Sequence, residues 1–180
     1  MIDTLILHGS FGSPFENWFP WLASTLSERG HRVLVPHFPD RELQNLSNWK
    51  TILDSYTKFL SQDLLVYAHS SAPAFIVDYC VDRNRSLKKA IFVVPFYGLI
   101  GIDEFDNVNK TFFVDKQYLV KFKDLCKDIV CIYSNDDPYV PQSMSEEFAT
   151  ATGAKTHVIL GGKHLNANSG FSVFPLLSAI

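Results

Sequence analysis

Three residues stand where a serine could be made to attack a carbonyl carbon: Ser70, Asp137 and His164. A serine hydroxyl is a weak nucleophile at neutral pH. It needs a base to take its proton, and the base needs a third group to hold its ring in the right tautomer. Serine, acid and histidine follow one another along this chain, and each comes just after an apolar run. Ser70 lies in Ala68-His69-Ser70-Ser71-Ala72, with small residues two positions to either side, as a sharp strand-to-helix turn requires. Taken alone, Ser70 reads equally well as a hydroxyl capping the next helix. The matching placement of His164 and an acid favours the nucleophile, with Ser71 the lesser candidate and Asp136 the rival acid.

The elements that must hold these residues alternate. Runs of branched and aromatic residues predict strands at Asp3–His8, Arg32–Pro36, Asp63–Ala68, Lys89–Pro95, Ile129–Ser134 and Thr156–Leu160. Most are continuous apolar runs, the pattern of strands buried on both faces. Between and after them, helices are predicted at Asn17–Arg29, Ser47–Leu60, Ala72–Asp82, Gln117–Cys126, Gln142–Thr152 and Phe171–Ala179. Six strand-helix units with right-handed crossovers give an α/β three-layer sandwich around a mostly parallel six-stranded sheet, in the order 2-1-3-4-5-6. Ligands in such sheets bind beyond the carboxyl ends of the strands, where all three chemical residues fall. Phe96–Lys116 is the least regular stretch and is expected to roof a shallow pocket.

The 180 residues, 47% hydrophobic and 19% charged, suit a single domain spanning 1–180. A formal net charge of −3 offers no field for a polyanion, so no nucleic-acid partner is expected. No apolar run is long enough to span a bilayer, and the first residues lack the cationic start of a secretory signal; no membrane partner and a cytoplasmic location are the expectation. Cys80, Cys126 and Cys131 lack the paired spacing of a zinc or redox motif. His8 and His69 crowd the same sheet end, yet no element carries two ligands at metal-binding spacing, so neither a metal nor any other cofactor is expected. Gly9-Ser10-Phe11-Gly12 falls short of both phosphate-binding glycine patterns. Aromatics near the strand ends, among them Phe11, Phe15, Phe105 and Tyr139, are mostly core by expectation, while those in loops suit an apolar acyl pocket.

These residues together resemble the α/β-hydrolase superfamily, and most of all its small YdeN-like branch, the family of the retinoblastoma-binding serine hydrolase. The resemblance runs from His8-Gly9 through Asn17-Trp18-Phe19-Pro20-Trp21-Leu22, His69-Ser70-Ser71 and Asp136-Asp137-Pro138-Tyr139-Val140-Pro141 to Gly162-Lys163-His164. It implies a minimal hydrolase without a large cap domain, with Ala68 and Ala72 standing where the family usually has glycine. It also implies Ser70 as nucleophile, His164 as base and then acid, and Asp137, not Asp136, as orienter of the imidazole. The oxyanion hole would be the backbone N–H groups of Ser71 and Ser10, with Phe11 as the alternative to Ser10. The expected activity is a serine hydrolase, carboxylesterase-like, cleaving small carboxylic esters through an acyl-serine; thioesters and amides are lesser candidates. The substrate is then a small-molecule ester, and a protein partner is left open. The competing reading is a non-catalytic interaction module on the same fold.

Overall fold

The computed structural model describes all 180 residues. Six parallel strands, β1 (Ile2–Leu7), β2 (Val33–Leu34), β3 (Leu60–His69), β4 (Lys89–Val93), β5 (Ile129–Ser134) and β6 (Lys155–Ile159), form one sheet in the order β2-β1-β3-β4-β5-β6. The helices are α1 (Phe19–Glu28), α2 (Leu46–Tyr56), α3 (Ala72–Arg83), α4 (Asp103–Asn109), α5 (Lys116–Leu125) and α6 (Gln142–Thr152).

Side chains alternate across the central strands, which explains why their sequences read as continuous apolar runs. Leu5, Val66, Phe92 and Cys131 point into a core shared with α2, α3, α5 and α6; Ile6, Tyr67, Ile91 and Ile132 point into a second core closed by α1 and the C-terminal turns. Both faces are covered, so the polar residues buried in the strands, such as Thr4 and Ser134, have hydrogen-bond partners. The three cysteines are buried free thiols.

Two local expectations change. Phe171–Ala179 is not an α-helix: only a 3-10 turn, Pro175–Ser178, forms. Pro175 has no N–H to donate and its ring would strike the carbonyl of Phe171, so a helix could not run through it; Phe174 before it is accordingly non-helical, φ −135° and ψ 79°. Conversely, the stretch read as irregular contains α4, a helix of 7 residues with Asp103, Glu104 and Asp106 in its first turn, where carboxylates offset the helix dipole. At the edges, β2 keeps two paired residues, and β6 is largely exposed instead of buried.

Phe75 of α3 is fully buried at the centre of an aromatic cluster, its ring within 5.3 Å of those of Phe38 and Trp49 and 6.2 Å from that of Phe112. Removing it leaves a void ringed by rigid aromatics that cannot collapse inwards. Phe75→Ala is expected to lower the unfolding free energy by about 3–5 kcal/mol, read from urea titration by far-UV circular dichroism; a loss under about 1 kcal/mol would contradict this packing.

Candidate active site

Ser70 is the residue at the turn between β3 and α3, and its backbone is left-handed, φ 63°. A non-glycine residue pays for that conformation only where its surroundings impose it. Here they do: the Ser70 N–H donates to the Val93 carbonyl at 2.9 Å, tying the turn to the end of β4. Ala68 and Ala72 are fully buried, so alanine at these places is compatible with the turn. The tight approach comes from elsewhere. A Cβ on Gly9 would meet the Cβ of Ser70 at 2.8 Å and the His69 carbonyl at 2.9 Å, which only glycine avoids.

The loops after β5 and β6 carry the other two residues to this point. His164 Nδ1 donates to Asp137 Oδ2 at 2.8 Å, and Ser70 Oγ donates to His164 Nε2 at 3.2 Å. The Asp137 side chain is 1% exposed and that of His164 12%. The second carboxylate oxygen of Asp137 accepts the N–H groups of Tyr139 at 2.8 Å and Val140 at 3.0 Å, so its orientation is set by its own turn. Asp136 faces away from His164. It accepts from Ser134 Oγ at 2.6 Å and Lys163 N at 2.9 Å and pairs with Lys163 Nζ at 2.7 Å, contacts that hold its carboxyl well below the usual carboxylate range.

His69, beside Ser70 at the crowded end of the sheet, ties the turn to the histidine loop. Its Nε2–H donates to the backbone carbonyl of His164 at 3.0 Å, while its ring lies edge-on to Trp18 and Phe19. Burial pushes its pKa down to about 3, with the neighbouring His164 acting in the same direction. The Trp18 indole N–H adds a second tie, to the Leu165 carbonyl at 3.1 Å. His8 is also held neutral by burial; its Nδ1–H donates to the Gly9 carbonyl at 2.8 Å and its Nε2 accepts the Phe38 N–H at 3.0 Å.

Ser10 requires a correction. Its backbone N–H is not free but donates to Ser71 Oγ at 3.0 Å. The physical reason is a buried polar cluster the sequence did not reveal. Asn109 Oδ1 accepts from Ser10 Oγ at 2.6 Å and from Gln44 Nε2 at 3.0 Å, and Gln44 Nε2 also donates to Ser10 Oγ at 2.7 Å. With the Ser10 hydroxyl proton spent on Asn109, Ser71 must donate its own to Ser10 Oγ, 2.9 Å away, leaving Ser71 Oγ to accept the Ser10 N–H. The backbone N–H groups of Phe11 and Ser71 have no partner within the chain.

A cavity of about 420 Å³ opens over Ser70 and His164. As expected, the loop after β1 and the Phe96–Lys116 stretch border it, through Phe11, Phe96, Ile100 and Phe105. Phe105 bridges the opening, 5.5 Å from the ring of Phe11 and 5.3 Å from that of Tyr139, which lies edge-on to His164 at 5.1 Å. Val140 and Tyr139 add to the apolar side, and the other lining residues, among them Arg41, Glu16 and several asparagines, are polar, so the cavity is mixed in character.

Residues 4–180 match the serine hydrolase family model. The chain belongs to that family. It is 26% identical over 175 residues to YdeN of Bacillus subtilis strain 168, covering 96% of this chain and 90% of YdeN. The crystal structure of the B. subtilis ydeN gene product superposes with a TM-score of 0.83, covering 99% of this chain and 96% of that one. Two more distant structures share the α/β-hydrolase fold. A metagenome-derived lipolytic enzyme of the LipS and LipT pair has a TM-score of 0.70 at 15% identity, covering 91% and 85% of the two chains. Est1E of Butyrivibrio proteoclasticus, with ferulic acid bound, has 0.70 at 17%, covering 98% and 89%. No helix is long and apolar enough to cross a membrane.

The buried neutral His69 has a consequence for stability. An unfolded chain protonates this histidine below about pH 6.5, whereas the folded chain does so only near pH 3. Between those values the unfolded state holds more protons, so stability is complete at higher pH and is lost as pH falls through that window. Urea unfolding is expected to show wild type losing stability from about pH 6.5 to 4.5, with His69→Phe losing less, by up to about 1.4 kcal/mol per pH unit. Parallel slopes would show that His69 is not held neutral.

Proposed function

We propose that this hydrolase is a carboxylesterase working through an acyl-Ser70 intermediate. The observation that carries the reading is the unbroken hydrogen-bonded chain from Ser70 Oγ through His164 to Asp137, beside two unpartnered backbone N–H groups. In this mechanism His164 Nε2 takes the Ser70 proton as Oγ attacks the ester carbon. The oxyanion accepts from the N–H groups of Ser71 and Phe11, Phe11 replacing Ser10 because the latter's N–H is already engaged. His164 then gives its proton to the departing alcohol oxygen. Water attacks the acyl-serine with the same residue as base, releasing the acid and restoring Ser70. Asp137 keeps the Nδ1–H tautomer and stabilises the imidazolium at each stage.

A fluorophosphonate probe tests the chemistry directly. Wild type is expected to be labelled and Ser70→Ala not; an unlabelled wild type, or equal labelling of both, would favour the non-catalytic interaction module. The acid is tested by a pair of isosteric changes. Asp137→Asn should lower kcat by about 10⁴-fold through the wrong imidazole tautomer. Asp136→Asn, which keeps the Oδ1 that accepts from Ser134 Oγ and Lys163 N and breaks only the ion pair with Lys163 Nζ, should cost less than about tenfold. The reverse ranking of the two rates would move the acid to Asp136.

The small cavity and the Phe105 bridge support a preference for short acyl groups. With p-nitrophenyl esters, kcat/KM is expected to peak at about two to four acyl carbons and to fall beyond them. A maximum at long chains would contradict this arrangement.

A further inference from the structure

One wall of the cavity carries hydrogen-bonding groups that the proposed mechanism does not use. Asn17 Oδ1 accepts the Ala167 N–H at 2.9 Å, and Asn166 Oδ1 accepts the Ser169 N–H at 3.1 Å and Ser169 Oγ at 2.9 Å. Because a backbone N–H can be met only by the amide oxygen, these bonds settle which way each amide points. Both NH₂ groups are left without a partner in the chain, at the cavity, where the bonds to each Oδ1 fix their direction. Next to them the Asn168 amide and the Glu16 carboxylate line the same wall, equally without side-chain partners. The wall therefore offers several donors and a strong acceptor, which bury poorly against a hydrocarbon but match vicinal hydroxyls, each of them donor and acceptor at once.

The reaction decides which end of the ester meets this wall. His164 Nε2 must reach the departing oxygen, so the alcohol leaves on the His164 side. Asn166 and Asn168 follow His164 on its own loop, and Asn17 is tied to that loop at Ala167. Among the apolar lining groups, Phe11 carries the N–H proposed for the oxyanion and so flanks the acyl end, while Phe105 spans from Phe11 to Tyr139. An anionic alcohol is disfavoured. Glu16 and Glu104 line the cavity against a single cation, Arg41, whose guanidinium is paired with Asp40 at 3.8 Å.

We propose that the site takes esters of a neutral polyhydroxylated alcohol, a glycerol or a sugar, and binds the hydroxyls of the leaving group through Asn17, Asn166, Asn168 and Glu16. This rests on the acyl-Ser70 reading above and names the substrate class of that same site.

The test holds the acyl group constant and varies the alcohol: monobutyrylglycerol, a monobutyrylglucose and butyl butyrate, with fluorophosphonate labelling in parallel. At least one polyol ester is expected to exceed butyl butyrate in kcat/KM by about tenfold or more. The glycerol and glucose arms then tell which alcohol the wall fits. Asn17→Asp combined with Asn166→Asp keeps both oxygens that accept backbone N–H groups and removes both free NH₂ donors. It is expected to reduce that ratio at least about fivefold. If the enzyme is labelled and the three esters react alike, or the ratio survives in the double variant, the polyol inference is overturned while the acyl-serine reading stands. If wild type is not labelled, both fall.

Discussion

The arrangement depends on how closely the ends of β1 and β3 approach one another. Gly9 leaves no room for a side chain against Ser70, and Ser70 in turn is held in a left-handed backbone that a serine does not adopt freely. That strain lifts Ser70 Oγ out of the sheet end into reach of His164, and it is tolerated because the turn is pinned on its other side to Val93 of β4. Val94, the next residue, is also left-handed at φ 52°, an outlier for a β-branched side chain. Three adjacent strand ends thus share the cost of presenting one hydroxyl.

Around that point the neighbouring polar residues divide their work. Asp137 and Asp136 are adjacent and chemically alike, yet one orients the imidazole while the other fastens Lys163 in the loop that carries it. His164 is held at both ends, its ring by Asp137 and its backbone carbonyl by His69. A neutral His69 can fix that carbonyl without repelling the imidazolium that the proposed mechanism forms, and burial is what keeps it neutral. On the opposite side, Gln44 and Asn109 clamp Ser10, which in turn bonds Ser71, linking α4 to the loop after β1. The helix bearing Phe105 is therefore connected by buried hydrogen bonds to the backbone from which the oxyanion donors are proposed to come.

Much of this was legible in the residues. Strand order, the sheet's parallel sense and the loops carrying Ser70, Asp137 and His164 follow from local apolar runs and the handedness of their crossovers, both properties of short segments. The preference for Asp137 over Asp136 came from the resemblance, and the hydrogen bond to His164 agrees with it. Contacts between segments far apart in the chain were hidden. Gln44 and Asn109 are 65 residues apart and carry no motif, so nothing in either segment announced that they meet Ser10 and claim its hydroxyl. The same holds for Asn17 with Ala167, 150 residues apart, and for the close approach that makes Gly9 a glycine. The short α4 escaped because its few residues hold too little periodicity to outweigh their surroundings. Local propensity and pattern determine which elements form and in what order; which N–H stays free, which carboxylate faces the imidazole and which amides point into the cavity are decided only when the folded loops bring distant donors and acceptors to within 3 Å or so of one another.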